Sequence, residues 1–499
     1  MLVTGANSLW HNSGNLSIGT LGAGNQLVIT NGGRVNAANV NIGPSTGAGG
    51  HRLVVTGSNS LLNITGDLGV ANVAPSNRVT VSDGGVITSG STVSQIGGNS
   101  AGNVVLVTDP GSRWTMLGQL DVGFLGDGNM LIVSNAGAVS TGGNALIGRD
   151  DSSERDQVIV TGSTSRWDVA RTLTVGNLGS NCTLLVSDDG TVTASNLIVG
   201  ASATAINNAV IVTNGGSLFV TNALGQGLLS LRRGTVTVDG STLTANRLLV
   251  SNSTTLAVNN GTITVAGILT NHGTVTMTNA VGRFAGPVVN DGAWITDPTT
   301  NIFQSDYTAT PNDYIQMSAG DVYVFSNAAN FVNLSTQSNQ FDTLAGTFLF
   351  NSDPTATQSF TVAGLNLGNL DTDGGLNTVP VPTLDPDLLP QFSNNFALGT
   401  LIVDPPFQFS LIGPDSGPTT HGLFLTNLVI DPGASILISN NVQVYFVTSN
   451  GWNSSQITLV GNAGLHQLVL DVVVPEPSIF LLCASGLAAL SAVRRRLAR

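Results

Sequence analysis

The chain contains no lysine, and only 9% of its residues are charged, against roughly 25% in ordinary globular proteins. Long helical enzymes keep their outer faces wet with charge, so this scarcity argues against them and for strands broken by tight turns. Of the sixteen basic residues, four fall in the last six positions. Residues 1–493 therefore carry 12 − 29 = −17. A body of that sign repels nucleic acid, whose binding runs on Lys and Arg contacts to phosphate. Aromatics make up 5% of the chain and cysteines number two, Cys182 and Cys483. The second lies in the C-terminal apolar segment, so a disulfide framework is excluded. The longest apolar run, Ile479 to Val493, is 15 residues, below the ~17–25 of a stable membrane-spanning helix.

Glycine, in contrast, is plentiful at 61 residues, and it is phased. The apolar residue preceding a hydroxyl recurs at Val3, Ile29, Val55, Val81, Val107, Val133, Val160, Val186 and Val212, with gaps of 26 residues and one of 27. Two unit types alternate. One reads V-T-x-x-x-S-x-W, with Ser8/Trp10, Ser112/Trp114 and Ser165/Trp167, and with Ser60/Leu62 in the copy that lacks the aromatic. The other has Gly33/Val35, Gly85/Ile87, Gly137/Val139, Gly190/Val192 and Gly216/Leu218, the last breaking the alternation. The first eight units close on Gly19, Gly43, Gly69, Gly97, Gly123, Gly148, Gly176 and Gly200.

This pattern predicts a solenoid. Successive strand residues face opposite sides, so Val points in and Thr or Ser points out. One 26-residue unit cannot bury its own apolar face, but stacked units can, like on like. Glycine at a fixed phase marks a corner that needs positive φ or has no room for a Cβ. An antiparallel sandwich array also gives regular short strands. Its loops vary in length, however, whereas a coil is held to its neighbour's length. The expected architecture is all-β, a right-handed parallel β-helix over residues 1–230, loosened coils over 231–293, a C-terminal β region or cap with a Pro-rich connector over 294–471, and one apolar C-terminal helix.

Chemistry is sparse. Most Asp residues sit at turn positions, as in Ser82-Asp83-Gly84, where turn preference accounts for them. The densest charged spot, Asp150, Asp151, Glu154, Arg155 and Asp156, reads as a solvated loop. His11, His51, His272, His421 and His466 lack metal-ligand spacing and read as surface or strand positions. Asp371-Thr-Asp373-Gly374 echoes the opening of a calcium loop but lacks the later ligands. Trp10, Trp114 and Trp167 share a phase that suits packing at a coil corner better than a sugar-binding stripe. No catalytic residue, metal or cofactor is expected.

The tail is the most specific local feature. Pro475-Glu476-Pro477 precedes the apolar run, and Arg494-Arg495-Arg496 follows it. The arginines would hold the C-terminal end in the cytoplasm, leaving the body outside the inner membrane. These three ordered parts, about 25 residues, resemble the PEP-CTERM sorting signal of bacterial proteins. The repeats resemble the β-strand repeats shared by autotransporter passenger domains and PEP-CTERM proteins. The resemblance implies an exosortase-type processing enzyme as partner, transient inner-membrane anchoring with the body in the periplasm, then release to the cell surface or beyond, with extracellular polysaccharide as the partner there. Met1-Leu2 runs straight into the first strand, so an export signal and at least one coil are expected upstream. The functional expectation is an exported, non-enzymatic structural or adhesive protein. The competing expectation is a β-helix carbohydrate-active enzyme, which would need clustered carboxylates on one face.

Overall fold

The computed structural model describes residues 1–46, 49–335, 340–352, 357–363, 375–381, 397–405, 408–414 and 420–470, without the side chains of 375–381 and 469–470. Each coil of the first half has three short strands on three faces. In the second coil these are Gln26–Thr30, Arg34–Ala37 and Val40–Ile42. Every strand pairs in parallel with its equivalent one coil on. The nine phased positions form one unbroken in-register ladder: Val3↔Ile29↔Val55↔Val81↔Val107↔Val133↔Val160↔Val186↔Val212. All nine are buried. The hydroxyls that follow them lie on the outer side and bond along the rod, as Ser82 Oγ does to Thr56 Oγ1 at 2.9 Å. The expected parallel solenoid is thus the observed one.

The two unit types alternate because their first corners interlock. The serine of one type accepts a hydrogen bond from a backbone N–H of the tighter corner in the coil before it. Ser60 Oγ lies 3.1 Å from Gly32 N, Ser112 Oγ 3.0 Å from Gly84 N, and Ser165 Oγ 2.9 Å from Ala136 N. Where two tight corners follow one another, the Asn214 carbonyl substitutes, accepting from Asp189 N at 3.2 Å. The tight corner needs its glycine for space. A Cβ on Gly33 would sit 2.5 Å from the Val3 carbonyl oxygen, and one on Gly216 2.5 Å from that of Val186. The turn reading of the acidic residues also holds, since Asp83, Asp109 and Asp188 all take positive φ.

The same ladder continues as Val212↔Val238↔Val258↔Met277↔Thr296↔Met317. The changes expected near residues 231 and 294 occur inside one continuous stack, as changes of coil length and of core. The loop joining the third strand to the next coil spans Gly200–Asn208, nine residues, in one coil. It falls to Arg232–Gly234 in the next and Ser251–Thr254 after that. Further on, the inward positions become aromatic. Phe284, Phe303, Phe325 and Phe350 stack in succession, with centroids 5.3, 5.1 and 4.7 Å apart. Parallel pairing runs on to Gly464–Leu470. That strand also pairs with Gly375–Val381, which includes part of the Pro-rich stretch.

Candidate functional site

The third corner carries a polar ladder whose members recur every 26 or 27 residues, Asn25, His51, Asn77, Asn103, Asn129, Asp156, Cys182 and Asn208, exposed at Asn25 in the first coil and buried from His51 on. Side-chain acceptors hold the backbone N–H of the preceding coil. Asn77 Oδ1 lies 2.9 Å from His51 N, Asn103 Oδ1 2.8 Å from Asn77 N, Asn129 Oδ1 3.1 Å from Asn103 N, and Asn208 Oδ1 2.8 Å from Cys182 N. Each side chain occupies the space beneath a corner residue of the coil before. A Cβ on Gly97, Gly123, Gly148 or Gly176 would collide with Asn129, Asp156, Cys182 or Asn208 respectively, and all four glycines have positive φ. One sequence expectation is corrected here. Gly69 lies within the strand Leu68–Val70, and the corner position of that coil is Ala71 at φ 68°.

Two ladder positions depart from Asn in a way that matters chemically. Asp156 accepts from Asn129 N and Nδ2 on one oxygen, at 2.7 and 3.2 Å, while its other oxygen is buried without a partner. Burial pushes its carboxyl up to about 8. Burial, reinforced by Asp156, pushes the Cys182 thiol up to about 12. A thiol so held is protonated and inert as a nucleophile.

The charged loop that precedes Asp156 is stapled to the coil before it. Arg149 bonds Asp121 at 2.6 Å and lies over the Phe124 ring at 4.4 Å. Arg155 pairs with Asp127. Gln119 also donates to Asp121 at 2.7 Å. These ions satisfy one another and converge on no open space. Asp151 is pushed up by its neighbour Asp150, on the exposed outer side.

Trp114 and Trp167 are wholly buried in the second face. Their indole N–H groups donate to Ser89 Oγ at 3.3 Å and Thr141 Oγ1 at 3.2 Å, inward hydroxyls of the preceding coil. Trp10 is partly buried against the same core. They are packing residues, as expected, and form no stripe. Of the histidines, His11, His421 and His466 lie in strands, as expected, while His51 is a correction, since it is buried in a corner outside any strand. His272 bonds Asp291 at 3.0 Å. Among the described residues no group of three or more His, Cys, Asp or Glu could hold a metal ion. Pro475, Glu476, Pro477, Arg494, Arg495 and Arg496 lie outside the described residues, as do the apolar run between them and Asp371–Gly374.

A concavity lies where the third-corner loop shortens. Third-corner loops of seven or nine residues end with the nine-residue loop closing at Asn208, and the next two coils have loops of three and four residues, which leaves a step on the side of the rod. The cleft there holds about 750 Å³ and is lined by Ile206, Asn207, Arg232, Arg233, Asn252 and Ser253, among others. Both arginine N–H groups donate to the Val199 carbonyl, at 3.0 and 3.1 Å, fixing the short loop. Arg232 Nε donates to Ser230 Oγ at 3.2 Å. Neither guanidinium forms an ion pair among the described residues, and no acidic residue lines the cleft. Of the others, a cleft of about 530 Å³ beside Trp452 is lined by uncharged residues, and one of about 380 Å³ has Arg34 and Arg113 three coils apart. Sequence reasoning missed both the polar ladder and the step. The ladder's period was visible in the sequence, while the step is a contrast between loop lengths of adjacent coils.

No family model matches the chain, and a search of curated proteins found no match. Among solved structures, the crystal structure of a TibC-catalyzed, hyper-glycosylated TibA fragment is similar at 12% identity. The match covers 93% of this chain and 99% of that one, with a TM-score of 0.21. Among the described residues no helix is long and apolar enough to cross a membrane.

Proposed function

We propose that this chain is an exported bacterial structural or adhesive protein of the cell surface or extracellular matrix, and that it is not an enzyme. One observation carries the reading. The first-face ladder runs in register through coil after coil, and the densest charged loop pairs its ions across coils, Arg149 with Asp121 and Arg155 with Asp127, instead of aiming acids and bases at one point. An active site on a rod requires several acids and bases aimed at one reacting atom. A scaffold requires only that each coil repeat its neighbour.

The tail supports a route to the surface. Pro475-Glu476-Pro477 would be the sorting motif read by an exosortase-type enzyme, and Arg494–Arg496 the cytoplasmic stop that holds the segment in the inner membrane until processing. Extracellular polysaccharide is the partner on the outside. The deciding experiment incubates the purified chain with acidic and neutral polysaccharides. Retention of polymer without cleavage is expected, and depolymerisation lost on substituting a single Asp would overturn the reading. Mass spectrometry of the exported form is expected to lack the tail, and an intact Arg499 would refute processing.

A further inference from the structure

We propose that the step cleft at Arg232 and Arg233 is the site where the rod grips an acidic polysaccharide, by the carboxylate of a uronate-type sugar. The proposal rests on the adhesive reading above and deepens it by naming the site and the ligand chemistry. Three observations meet there. The chain carries a net charge of −13 and has no lysine, so two adjacent arginines free of acidic partners form a local reversal of sign on an acidic rod. Such a spot focuses anions that the rest of the surface repels. The guanidinium fork fits a carboxylate with two parallel hydrogen bonds, which a point charge does not. Finally, the walls suit a sugar. Asn207, Asn252 and Ser253 are exposed and bring amides and a hydroxyl to the cleft, and Ile206, 52% exposed, gives an apolar surface for the C–H face of a pyranose.

The cleft also lies in the usual size range of ligand sites, roughly 300–1,000 Å³. A nucleic acid would need a track of many cations along the rod, and two arginines in one cleft provide none. The geometry is fixed before binding. The short loop hangs from the Val199 carbonyl by two backbone hydrogen bonds, so little ordering remains to oppose association.

The test measures binding of the full chain to polygalacturonate, to neutral dextran and to free inorganic phosphate, at low and high salt. Three proteins are compared: wild type, the double variant Arg232→Gln/Arg233→Gln, and Arg283→Gln, which removes one exposed arginine on the second face, two coils further on and outside the cleft. The double variant is expected to lose about ten-fold or more in affinity for polygalacturonate. The Arg283→Gln variant should stay within about two-fold of wild type, with all three melting alike. Binding of polygalacturonate that is unchanged in the double variant would overturn the cleft assignment and leave the adhesive reading standing. Phosphate bound as strongly as polygalacturonate would mean a simple anion site and would also overturn it. Failure of wild type to retain any polymer would overturn both this proposal and the reading on which it rests.

Discussion

At the residue scale, the rod depends on a few positions where two constraints coincide. Gly97 has φ +75°, and a Cβ there would collide with the buried amide of Asn129. Gly97→Ala therefore combines backbone strain with displacement of a ladder residue. A loss of about 2–4 kcal/mol is expected, read as a lower denaturation midpoint. Asp156 acts in the opposite sense. Its folded-state carboxyl is pushed up to about 8 from an ordinary 3.8, so the folded chain keeps a proton that the unfolded chain releases. That contribution to stability is full below about pH 4 and is lost as pH rises towards about 8. Asp156→Asn keeps the acceptor for Asn129 and removes the ionisable oxygen. It should leave stability unchanged near pH 4 and raise it by on the order of 2 kcal/mol near pH 8. Chemical denaturation of the two proteins at both pH values measures the difference. Asp313 shifts the same way but titrates in both proteins, so it cancels from the comparison.

At the element scale, the corners set the register more sharply than the strands do. Val, Ile and Leu fill any inward position of similar volume, but a corner serine must meet one particular N–H. Ser112→Ala leaves Gly84 N without its acceptor at 3.0 Å and should cost about 1 kcal/mol. Ser58→Ala, at an exposed position of a neighbouring corner, should change nothing measurable in the same melting experiment. The coil core follows the loops. Where the third-corner loop shortens, the polar corner ladder ends at Asn208, while the apolar ladder of the third strand runs on in register through Leu197, Leu229, Leu248 and Leu269. Further along, large rings such as Phe303, Phe325 and Phe331 fill the interior. This is why the aromatic stretch looks in sequence like a separate β region. Its coils lose the 26-residue spacing that makes the first half legible, although the strand pairing does not change.

At the scale of the whole molecule, each coil touches only its neighbours, so stability is nearly a sum over coils and their interfaces. The interlocked corners make two coils the repeating unit. Deleting the 52 residues from Val79 to Met130 would join Arg78 to Leu131, and Val79, Val105 and Leu131 are equivalent positions on one ladder. The shortened chain should stay soluble, with a parallel-β circular dichroism spectrum and a melting temperature near that of the full chain. Removing only half a coil, residues 79–91, should abolish the cooperative transition, because every inward side chain beyond the cut would be set against the wrong face.

The period of Val3 through Val212, the hydroxyl after each, and the turn placement of Asp83 and Asp188 were enough to determine the parallel stack and which side of each strand is buried. Those features depend on alternation and period alone, and neighbouring coils only multiply them. The candidate cleft was not legible. Arg232-Arg233 in sequence is merely a basic pair beside a strand, and nothing local to it says that the loop before it is nine residues long and the loop after it four. Only stacking turns that difference into a concave step. In the same way, Asp156 and Cys182 read as a loop acid and a lone thiol. The tertiary structure decides that both are buried, because the corner glycines of the preceding coil leave room for the side chains to turn inward and satisfy backbone N–H groups that water cannot reach.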